Sequence, residues 1–375
     1  MKNKLQTLDK TNSWLSKQQI ANFCLMAIFC FSFVFNPVSA QSKKKETKEE
    51  MRIPKAPLYK CPIGDAPVNP RVIWNRKEKS WFMLYQQRDK NSVLQNDHAL
   101  SFCFGSDIAI ASSSDNGKTW LYRGIIEGVA IEPGHNTYGM PEVIYHDGLY
   151  HLYLEYFQGF IAKDTFGDPS RIIHYTSKDL WNWEFQNFIM EDDDHNKNSM
   201  CVYQLPNGKW NMCYYDCTME ELRILESDDL YTWEYSRKGP DQKYNSPNVF
   251  KLGGYYWMTI DTYKGFAVFR SKDCENWTKQ DGLLFDEVSA RMDDGSSPHH
   301  SGVVQLENKV YMFYYTHPER VPGLSGELDK RLGDRIHGLP HLRRSVIQVA
   351  EITVKEGWLS GDRNKPFDFF LPNMD

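Results

Sequence analysis

One short phrase recurs four times along this chain and constrains its fold more than any other feature. Each copy places an Asp after a Ser or Thr and ends on a Trp: SSDNGKTW at 113–120, TSKDLWNW at 176–183, SDDLYTW at 227–233 and SKDCENW at 271–277. A strand ends at the hydroxyl residue, the Asp forms a tight turn, and the Trp packs back on its own unit. The four tryptophans are 63, 50 and 44 residues apart, a spacing typical of propeller blades with loops of different length. We expect the turn aspartates to be structural and to face away from a central channel: Asp115, Asp179, Asp228 and Asp273.

An aromatic-rich hairpin precedes each phrase, and a fifth hairpin follows them. Each pairs an apolar strand with an alternating aromatic strand across a turn that holds Gly, Asn or Lys. The hairpins span 70–87, 141–157, 201–216, 247–261 and 302–318. For the last unit we expect a third strand at 345–354, after a long insertion, and a weaker copy of the turn at 355–358. The predicted fold is therefore all-β, a five-bladed β-propeller with an active site in its central channel.

The N-terminus has the pattern of an export signal. Lysines at positions 2, 4, 10 and 17 precede an apolar stretch at 21–35, and small residues at 38–40 offer a cleavage site. We therefore expect a signal peptide at 1–40, a flexible charged leader at 41–58 and the propeller at 59–375, with the protein exported to the periplasm or secreted. A membrane anchor is the alternative, although the apolar stretch is short for a span.

The composition of the chain limits the kinds of partner that it could bind. The formal charge is −5 and no basic run occurs in the predicted domain, which argues against a nucleic-acid partner. We expect no membrane span in the mature chain. Six of the eight cysteines follow the signal, and none has zinc-site spacing. We expect buried thiols there, with disulfides as the alternative.

Candidate chemistry lies where the first strand of each blade begins, because these strands converge on the central channel. The five starts are polar and the strands around them apolar, so we expect a polar ligand. Carboxylates in such a ring suggest glycoside hydrolysis, in which one acid protonates the leaving oxygen and another activates water or attacks the sugar. The catalytic candidates are Asp65, Glu142, Asp194 and His300.

Three of these candidates have a second interpretation. Glu142 is equally suited to an ion pair at the pocket rim, and Asp194 to a solvated acidic loop. His300, or its neighbour His299, could donate a proton, contact sugar or ligate a central cation. Since adjacent strand residues point to opposite faces, we expect one of the two to face the axis. The residues expected to contact substrate are Asn69, Arg88, Tyr138, Asn198, Ser199, Ser246, Asn248, His299, His317 and Arg320.

The aromatic hairpins, five blades and polar strand starts together resemble the five-bladed propeller glycoside hydrolases of families 43, 32 and 117, and family 43 most of all. The resemblance covers roughly residues 60–360. It rests on the stretches NPRVIWNRKEKSWFMLYQQR, PEVIYHDGLYHLYLEY, IIHYTSKDLWNWEF, CVYQLPNGKW, SPNVFKLGGYYWM, KGFAVFRSKDCENW and HHSGVVQLENKVYMFYYTHPER.

This resemblance implies an exo-acting or debranching hydrolase of oligosaccharides from a complex polysaccharide. It also implies an Asp base, an orienting Asp and a Glu acid, usually inversion of configuration, and in many relatives a central divalent cation such as Ca²⁺. The chain departs from that pattern, because Asn69 stands where the group places an Asp before Pro, and Ser199 and Ser246 lie near positions of acids. Asp65 and Glu142 are the replacements we expect, and the resemblance to family 117 implies a His acid.

Two other functions remain open. The phrase at 113–120 also resembles the Asp boxes of sialidases, which have six blades and an arginine triad. Alternatively, the propeller binds glycans without catalysis, as Ser199 and Ser246 suggest. For the hydrolase as for these alternatives, basic loops at 88–107, 159–171 and 317–344 favour an anionic sulfated or uronic glycan, although such loops are also typical of solvated surface. The arginines concerned are Arg88, Arg171, Arg320, Arg343 and Arg344.

Overall fold

The computed structural model describes residues 50–92, 103, 105–159, 170–190, 195–243, 246–307, 309–320 and 339–374. Within it Glu50–Asp375 form one compact unit, whereas the predicted signal peptide lies outside the described residues. Five antiparallel sheets of four strands each follow one another along the chain, and in each the strands pair in sequence order. This is the predicted five-bladed β-propeller, and that prediction is confirmed.

The blades have the following strands. Blade 1 contains β1 Asp65–Asn75, β2 Ser80–Asp89, β3 Asp107–Ser113 and β4 Leu121–Ile125. Blade 2 contains β5 Thr137–His146, β6 Leu149–Phe157, β7 Arg171–Ser177 and β8 Glu184–Ile189. Blade 3 contains β9 Lys197–Gln204, β10 Trp210–Asp216, β11 Glu221–Ser227 and β12 Glu234–Lys238. Blade 4 contains β13 Asn248–Leu252, β14 Tyr255–Asp261, β15 Phe266–Ser271 and β16 Thr278–Lys279. Blade 5 contains β17 His299–Gln305, β18 Val310–Thr316, β19 Val346–Lys355 and β20 Trp358–Ser360, with a short helix α1 at Pro340–Arg343 before β19.

The hydrophobic core is divided among the blade interfaces. Five clusters of buried apolar side chains lie one at each interface between neighbouring blades. The alternating aromatic strands recognised in the sequence supply much of this core, including Tyr85, Tyr153, Trp257 and Tyr314. Because each sheet buries both faces against neighbours, no blade could bury its apolar surface alone.

The ring closes between blades 5 and 1 without a shared strand. Tyr59, ahead of blade 1, pairs with Ile347 of β19, and the C-terminal tail crosses to blade 1. There the Trp81 ring nitrogen Nε1 donates to the Pro372 carbonyl at 2.9 Å, while Phe369 and Leu371 are buried in the cluster between blades 5 and 1. Both chain ends therefore hold the closure.

The recurring phrase forms the turn between the third and fourth strands of its blade. In blade 3, Ser227 Oγ accepts the Leu230 N–H at 2.9 Å. Asp229 Oδ1 accepts the N–H groups of Tyr231 at 2.8 Å and Thr232 at 2.7 Å. The prediction that Asp228 forms this turn is wrong, because the motif needs a carboxylate two residues after the Ser. Asp228 itself has a side chain 78% exposed. In the other three copies the predicted Asp115, Asp179 and Asp273 form the turn.

Two further features of the described residues bear on the expectations from sequence. Within the ranges given above, no helix is both long enough and apolar enough to cross a bilayer. All six cysteines after the predicted signal are free thiols: Cys61, Cys201, Cys213 and Cys274 are buried, and Cys103 and Cys217 are partly buried.

Candidate active site

Every blade has the same backbone irregularity at the start of its innermost strand. One residue there adopts a positive φ between 38° and 57°: Asn69, Met140, Ser199, Ser246 and His300. In four of the blades the strand pairing shifts register at this point, as at a β-bulge. A positive φ is uncommon for residues other than glycine, and its recurrence in all five blades makes it part of the propeller's construction. The bulge redirects the side chains that follow it toward the axis.

The residue two positions after each bulge forms a lower ring around the axis, made of Arg71, Glu142, Cys201, Asn248 and Gly302. The Arg71 guanidinium bridges blades 1 and 2 through Nε, 2.6 Å from Glu142 Oε2, and reaches blade 5 through Nη1, 2.8 Å from the Ser301 carbonyl. Gly302 leaves space for it, because a Cβ there would lie 3.1 Å from Arg71 Nη1 and 2.2 Å from the Pro70 carbonyl.

The same ring connects the remaining interfaces. Glu142 Oε1 accepts the Val202 N–H at 3.1 Å, which joins blades 2 and 3. The Val249 N–H lies 3.2 Å from the Cys201 sulfur, which joins blades 3 and 4. Asn248 Nδ2 donates to the Ser301 carbonyl and joins blades 4 and 5. The lower ring thus links all five blades, and it places Glu142 and Asn248 in the contacts that hold the propeller together.

The lower ring does not suit the central divalent cation that the resemblance implies. The Arg71 guanidinium brings a positive charge to the axis, and it already neutralises the Glu142 carboxylate. In the described part of the chain no three His, Cys, Asp or Glu side chains are grouped so as to hold a metal ion. His300, the candidate metal ligand, contacts Ser246 and Asp261 instead.

A second, upper ring lies on the strands that pair with the innermost ones. It consists of Gln86, Glu155, Tyr215, Asp261 and Tyr315, which lie at equivalent register positions of β2, β6, β10, β14 and β18. These residues contact the bulges: Asn69 Nδ2 donates to Gln86 Oε1 at 2.7 Å, and Asp261 Oδ2 accepts the His300 N–H at 2.9 Å. Glu155 and Asp261 were not among the candidates chosen from the sequence. The sequence signal that could have identified Glu155 and Asp261 is an acidic residue near the end of an otherwise apolar second strand.

Glu155 is the most unusual group of the upper ring. Its side chain lies in β6 opposite Gly139 and Ile172 and is only 4% exposed. Oε1 has no hydrogen-bond partner among the described residues. Burial raises the pKa of Glu155 to about 8, against the opposing effect of the Arg88 charge. The carboxyl group is therefore mainly protonated at neutral pH.

Asp261 is the opposite case. Burial acts to raise its pKa, but His299 and His300 hold the pKa of this carboxylate below its usual value. His299 Nδ1 lies 3.4 Å from Asp261 Oδ2 and His300 Nε2 lies 3.7 Å from it. On its other side His300 Nδ1 is 2.5 Å from Ser246 Oγ. Burial lowers the pKa of His300 to about 3, so this ring is neutral at pH 7.

Arg88 connects these groups. It lies at the end of β2, and its charge acts on Glu155 of blade 2 and on His300 and Tyr315 of blade 5. Its Nε is buried without a hydrogen-bond partner among the residues described. The charge of Arg320 also acts on Tyr315, and His317 packs edge-on against the Tyr315 ring. Acidic, cationic and aromatic side chains therefore meet at the upper ring.

The structure does not bring Asp65 and Glu142 together. Asp65 Oδ2 lies 2.6 Å from Lys90 Nζ and 3.5 Å from Arg344 Nε, outside the lower ring. It precedes Arg71, the partner of Glu142, by six residues of β1, and at about 3.3 Å per residue this separates the two carboxylates by roughly 15–20 Å along the strand. Asp194 lies outside the described residues.

The other predicted contact residues divide between the rings and the periphery. Asn198 and Ser199 hydrogen-bond each other beside Met140, and the Tyr138 hydroxyl accepts the Ile131 N–H at 3.3 Å. The remaining loop arginines point elsewhere. Arg343 donates to the carbonyls of Lys90 and Ser92, Arg344 pairs with Asp65, Asp293 and Glu319, and Arg171 stacks on Phe188.

The chain is similar to known proteins in sequence over part of its length and in structure over most of it. No protein-family model matches the chain. A 1,2-beta-oligomannan phosphorylase of Thermoanaerobacter sp. (strain X514) is 30% identical over 151 residues, which is 39% of this chain and 46% of that protein. The chain thus matches less than half the length of this curated relative.

Solved structures match over nearly all of the propeller. A thermostable family 43 glycoside hydrolase has 17% identity and a TM-score of 0.55, over 84% of this chain and 98% of that one. A family 43 β-xylosidase/α-arabinofuranosidase from a compost metagenome, in complex with xylotriose, has 15% identity and a TM-score of 0.57, over 81% and 96% of the two chains. The family 43 enzyme of Xanthomonas citri has 12% identity and a TM-score of 0.57, over 82% and 93%. The chain therefore has the five-bladed propeller fold of these glycoside hydrolases.

Proposed function

We propose that this protein is a glycoside hydrolase that cleaves oligosaccharides at the upper ring. The observation that carries the proposal is the upper ring itself, in which Glu155 and Asp261 have opposite protonation and the charge of Arg88 acts on Glu155 and on His300, the neighbour of Asp261. Hydrolysis of a glycosidic bond needs an acid for the leaving oxygen and a base for water. The fold is shared with enzymes whose names include xylosidase, arabinofuranosidase and galactosidase, which supports a sugar substrate.

We further propose that cleavage is exo-acting, with inversion, and that the substrate carries a carboxylate or sulfate group. Arg88 supports an anionic substrate, because its half-buried guanidinium offers a buried Nε without a partner among the described residues. A charge-assisted hydrogen bond there contributes about 1.5–3 kcal/mol, or about 10- to 150-fold in affinity. Calorimetry with an acidic oligosaccharide and its neutral counterpart measures this directly. Equal affinities for the two ligands would contradict the charge preference.

The matched variants are Arg88→Gln and Arg171→Gln. Arg171 is an exposed arginine that stacks on Phe188, so its loss should leave binding unchanged. Arg88→Gln should remove the preference for the acidic ligand and leave the neutral one bound as before. If only Arg171→Gln lost the preference for the acidic ligand, the anionic group would be recognised away from the channel.

The hydrolase is tested with residues 41–375 and a panel of plant and algal oligosaccharides, by following released reducing sugar. Release of a monosaccharide supports an exo-acting hydrolase. Binding without turnover across the panel would favour a glycan-binding propeller instead. Sialosides belong in the panel, because their cleavage would support the sialidase interpretation.

Phosphorolysis is the second candidate reaction. The relative from Thermoanaerobacter is named as a phosphorylase, and the charges of Arg88 and Arg320 both act on Tyr315, where a phosphate group would be held. Running each reaction with and without inorganic phosphate separates the two reactions. A sugar 1-phosphate detected by ³¹P NMR would establish phosphorolysis, whereas free sugar formed at the same rate without phosphate would establish hydrolysis.

We also propose that the protein is exported, on the strength of the N-terminal pattern described above. N-terminal sequencing of the protein recovered from the periplasm or medium should begin at Gln41. An intact N-terminus in the membrane fraction would establish the anchor instead.

A further inference from the structure

The upper ring contains a buried carboxyl group that the propeller itself does not use. Buried acids elsewhere in the described residues are held by partners: Asp216 accepts the N–H groups of Thr218 and Met219 and lies 2.7 Å from His195. Among the described residues Glu155 has no such hydrogen bond or ion pair, and the charge that acts on its pKa is that of Arg88. An ionised carboxylate in this position would be strongly unfavourable. Protonation of Glu155, or a hydrogen bond from a hydroxyl group of a bound ligand, removes this unfavourable state.

A candidate proton acceptor, His299 with Asp261 beside it, lies on blades 5 and 4, which do not adjoin the blade of Glu155. Asp261 is fully buried at the end of β14 and anionic. It fixes the backbone of His300 through a 2.9 Å hydrogen bond, and its Oδ2 lies 3.4 Å from His299 Nδ1. The rings of Tyr263 and Tyr315 pack against His299. Nε2 of His299 has no hydrogen-bond partner in the part of the chain that is described. His299 Nδ1 is buried without a hydrogen-bond partner among the described residues, so Asp261 acts on this ring through its negative charge at 3.4 Å, and Nε2 is the nitrogen left to contact a water molecule.

Resting on the hydrolase proposed above, we propose that Glu155 protonates the glycosidic oxygen and that His299, held by Asp261, takes the proton of the attacking water. The bond between the anomeric carbon and the glycosidic oxygen breaks, and its electron pair stays on the oxygen, which leaves as an alcohol with the Glu155 proton. Water forms the new bond to the anomeric carbon and gives one proton to His299. The Glu155 carboxylate then regains a proton from solvent, and His299 releases to solvent the proton that it took from water. A single displacement of this kind inverts the anomeric configuration.

The other acids of the candidate set are less suited to these roles. Glu142 is engaged by Arg71 and the Val202 N–H, and Asp65 by Lys90 and Arg344. Arg88 contributes differently. Its charge acts on both Glu155 and His300, so it can stabilise the carboxylate that forms when Glu155 releases its proton.

The test compares wild type with Glu155→Gln on two substrates, an oligosaccharide that the panel shows to be cleaved and a 2,4-dinitrophenyl glycoside of the same sugar. A dinitrophenolate leaves without protonation, whereas a sugar alcohol does not. We expect kcat/KM to fall about 10²- to 10⁴-fold on the oligosaccharide and less than about tenfold on the aryl glycoside. Glu234→Gln changes an exposed residue of β12 and should behave as wild type on both. His299→Ala should lose activity on both substrates and regain part of it with azide, giving a glycosyl azide of inverted configuration.

An infrared titration adds a readout that does not depend on turnover. Wild type should show a protonated carboxyl band at pH 7 that disappears as the pH rises through about 8, and Glu155→Gln should lack it. Equal losses on the two substrates, no loss on either, or no such band would overturn the role of Glu155 while leaving the hydrolase standing. A wild-type protein that cleaves neither substrate overturns the proposed function and this role together.

Discussion

Replacing Glu142 by Ala should destabilise the propeller strongly, because Glu142 neutralises a charge at the axis. Its carboxylate lies 2.6 Å from Arg71 Nε, and the two side chains are only 8% and 13% exposed. Removing one member of a buried pair leaves the other charge uncompensated, which costs about 3–5 kcal/mol. The Val202 N–H loses its acceptor as well. For a domain of this size each kcal/mol lowers Tm by about 2 °C, so we expect a decrease of roughly 6–10 °C.

The pairwise part of this effect is measured with a double-mutant cycle. Arg71→Met, Glu142→Ala and the double variant are compared by urea denaturation and by thermal melting followed by circular dichroism. The double variant has no unpaired charge, so its loss should be smaller than the sum of the single losses by about 2–3 kcal/mol. Because the pair is buried, this coupling should persist at 0.5 M salt.

Glu220→Ala is the matched control, since it breaks an ion pair with Lys243 in which both side chains are largely exposed. Its Tm should equal that of wild type. The reasoning is refuted if Glu142→Ala melts within 1 °C of wild type, or if the two single losses simply add.

Three other predictions follow from the structure. Asp229→Ala should cost about 1 kcal/mol, because it removes the acceptor of two turn N–H groups, whereas Asp228→Ala should leave the urea midpoint unchanged; equal effects would contradict the assignment of the turn. Gly302→Ala should cost about 1–3 kcal/mol or more, because the new Cβ would lie 2.2 Å from a backbone carbonyl, and a wild-type melting temperature would contradict that geometry. Burial lowers the pKa of His151 to about 4 and of His174 to about 3, so both are neutral in the fold and their contribution is complete above pH 6.5 and lost as the pH falls toward 4. The free energy of unfolding should therefore fall by about 1.4 kcal/mol per pH unit for each histidine in this range. His174→Asn should remove the contribution of one histidine to this pH dependence, as measured by urea midpoints between pH 7.5 and 4.5. An unchanged pH dependence would contradict a neutral His174 in the folded protein.

The blade number was predictable because each unit repeats two local signals. The turn phrase depends on a Ser and an Asp two residues apart, and the hairpins on alternating aromatic residues, so neither requires knowledge of distant contacts. The one error in the phrases arose at Ser227-Asp228-Asp229, where two aspartates are adjacent and only the second has the spacing that the turn requires.

The candidate site was less predictable, because its groups are defined by contacts between blades. Glu142 was selected because it lies at the start of a first strand. Its partner Arg71 comes from another blade, and their ion pair gives Glu142 a structural place in the lower ring. Glu155 and Asp261 were missed because an acid near the end of an apolar second strand is visible in the sequence, whereas its role depends on contacts that the sequence does not show. Their opposite protonation follows from neighbours that sequence spacing does not reveal: a lack of partners for Glu155 and two histidines for Asp261.

The central claim is that the upper ring, and not the axial ion pair, is the reaction site. It is tested most directly by the rate of sugar release from the oligosaccharide panel by wild type, Glu155→Gln and Glu142→Gln, each rate being divided by the folded fraction of that protein. Glu155→Gln should be almost inactive although it is folded, and Glu142→Gln should be less stable but keep its rate per folded molecule. Full activity in Glu155→Gln, with activity lost in folded Glu142→Gln, would contradict it.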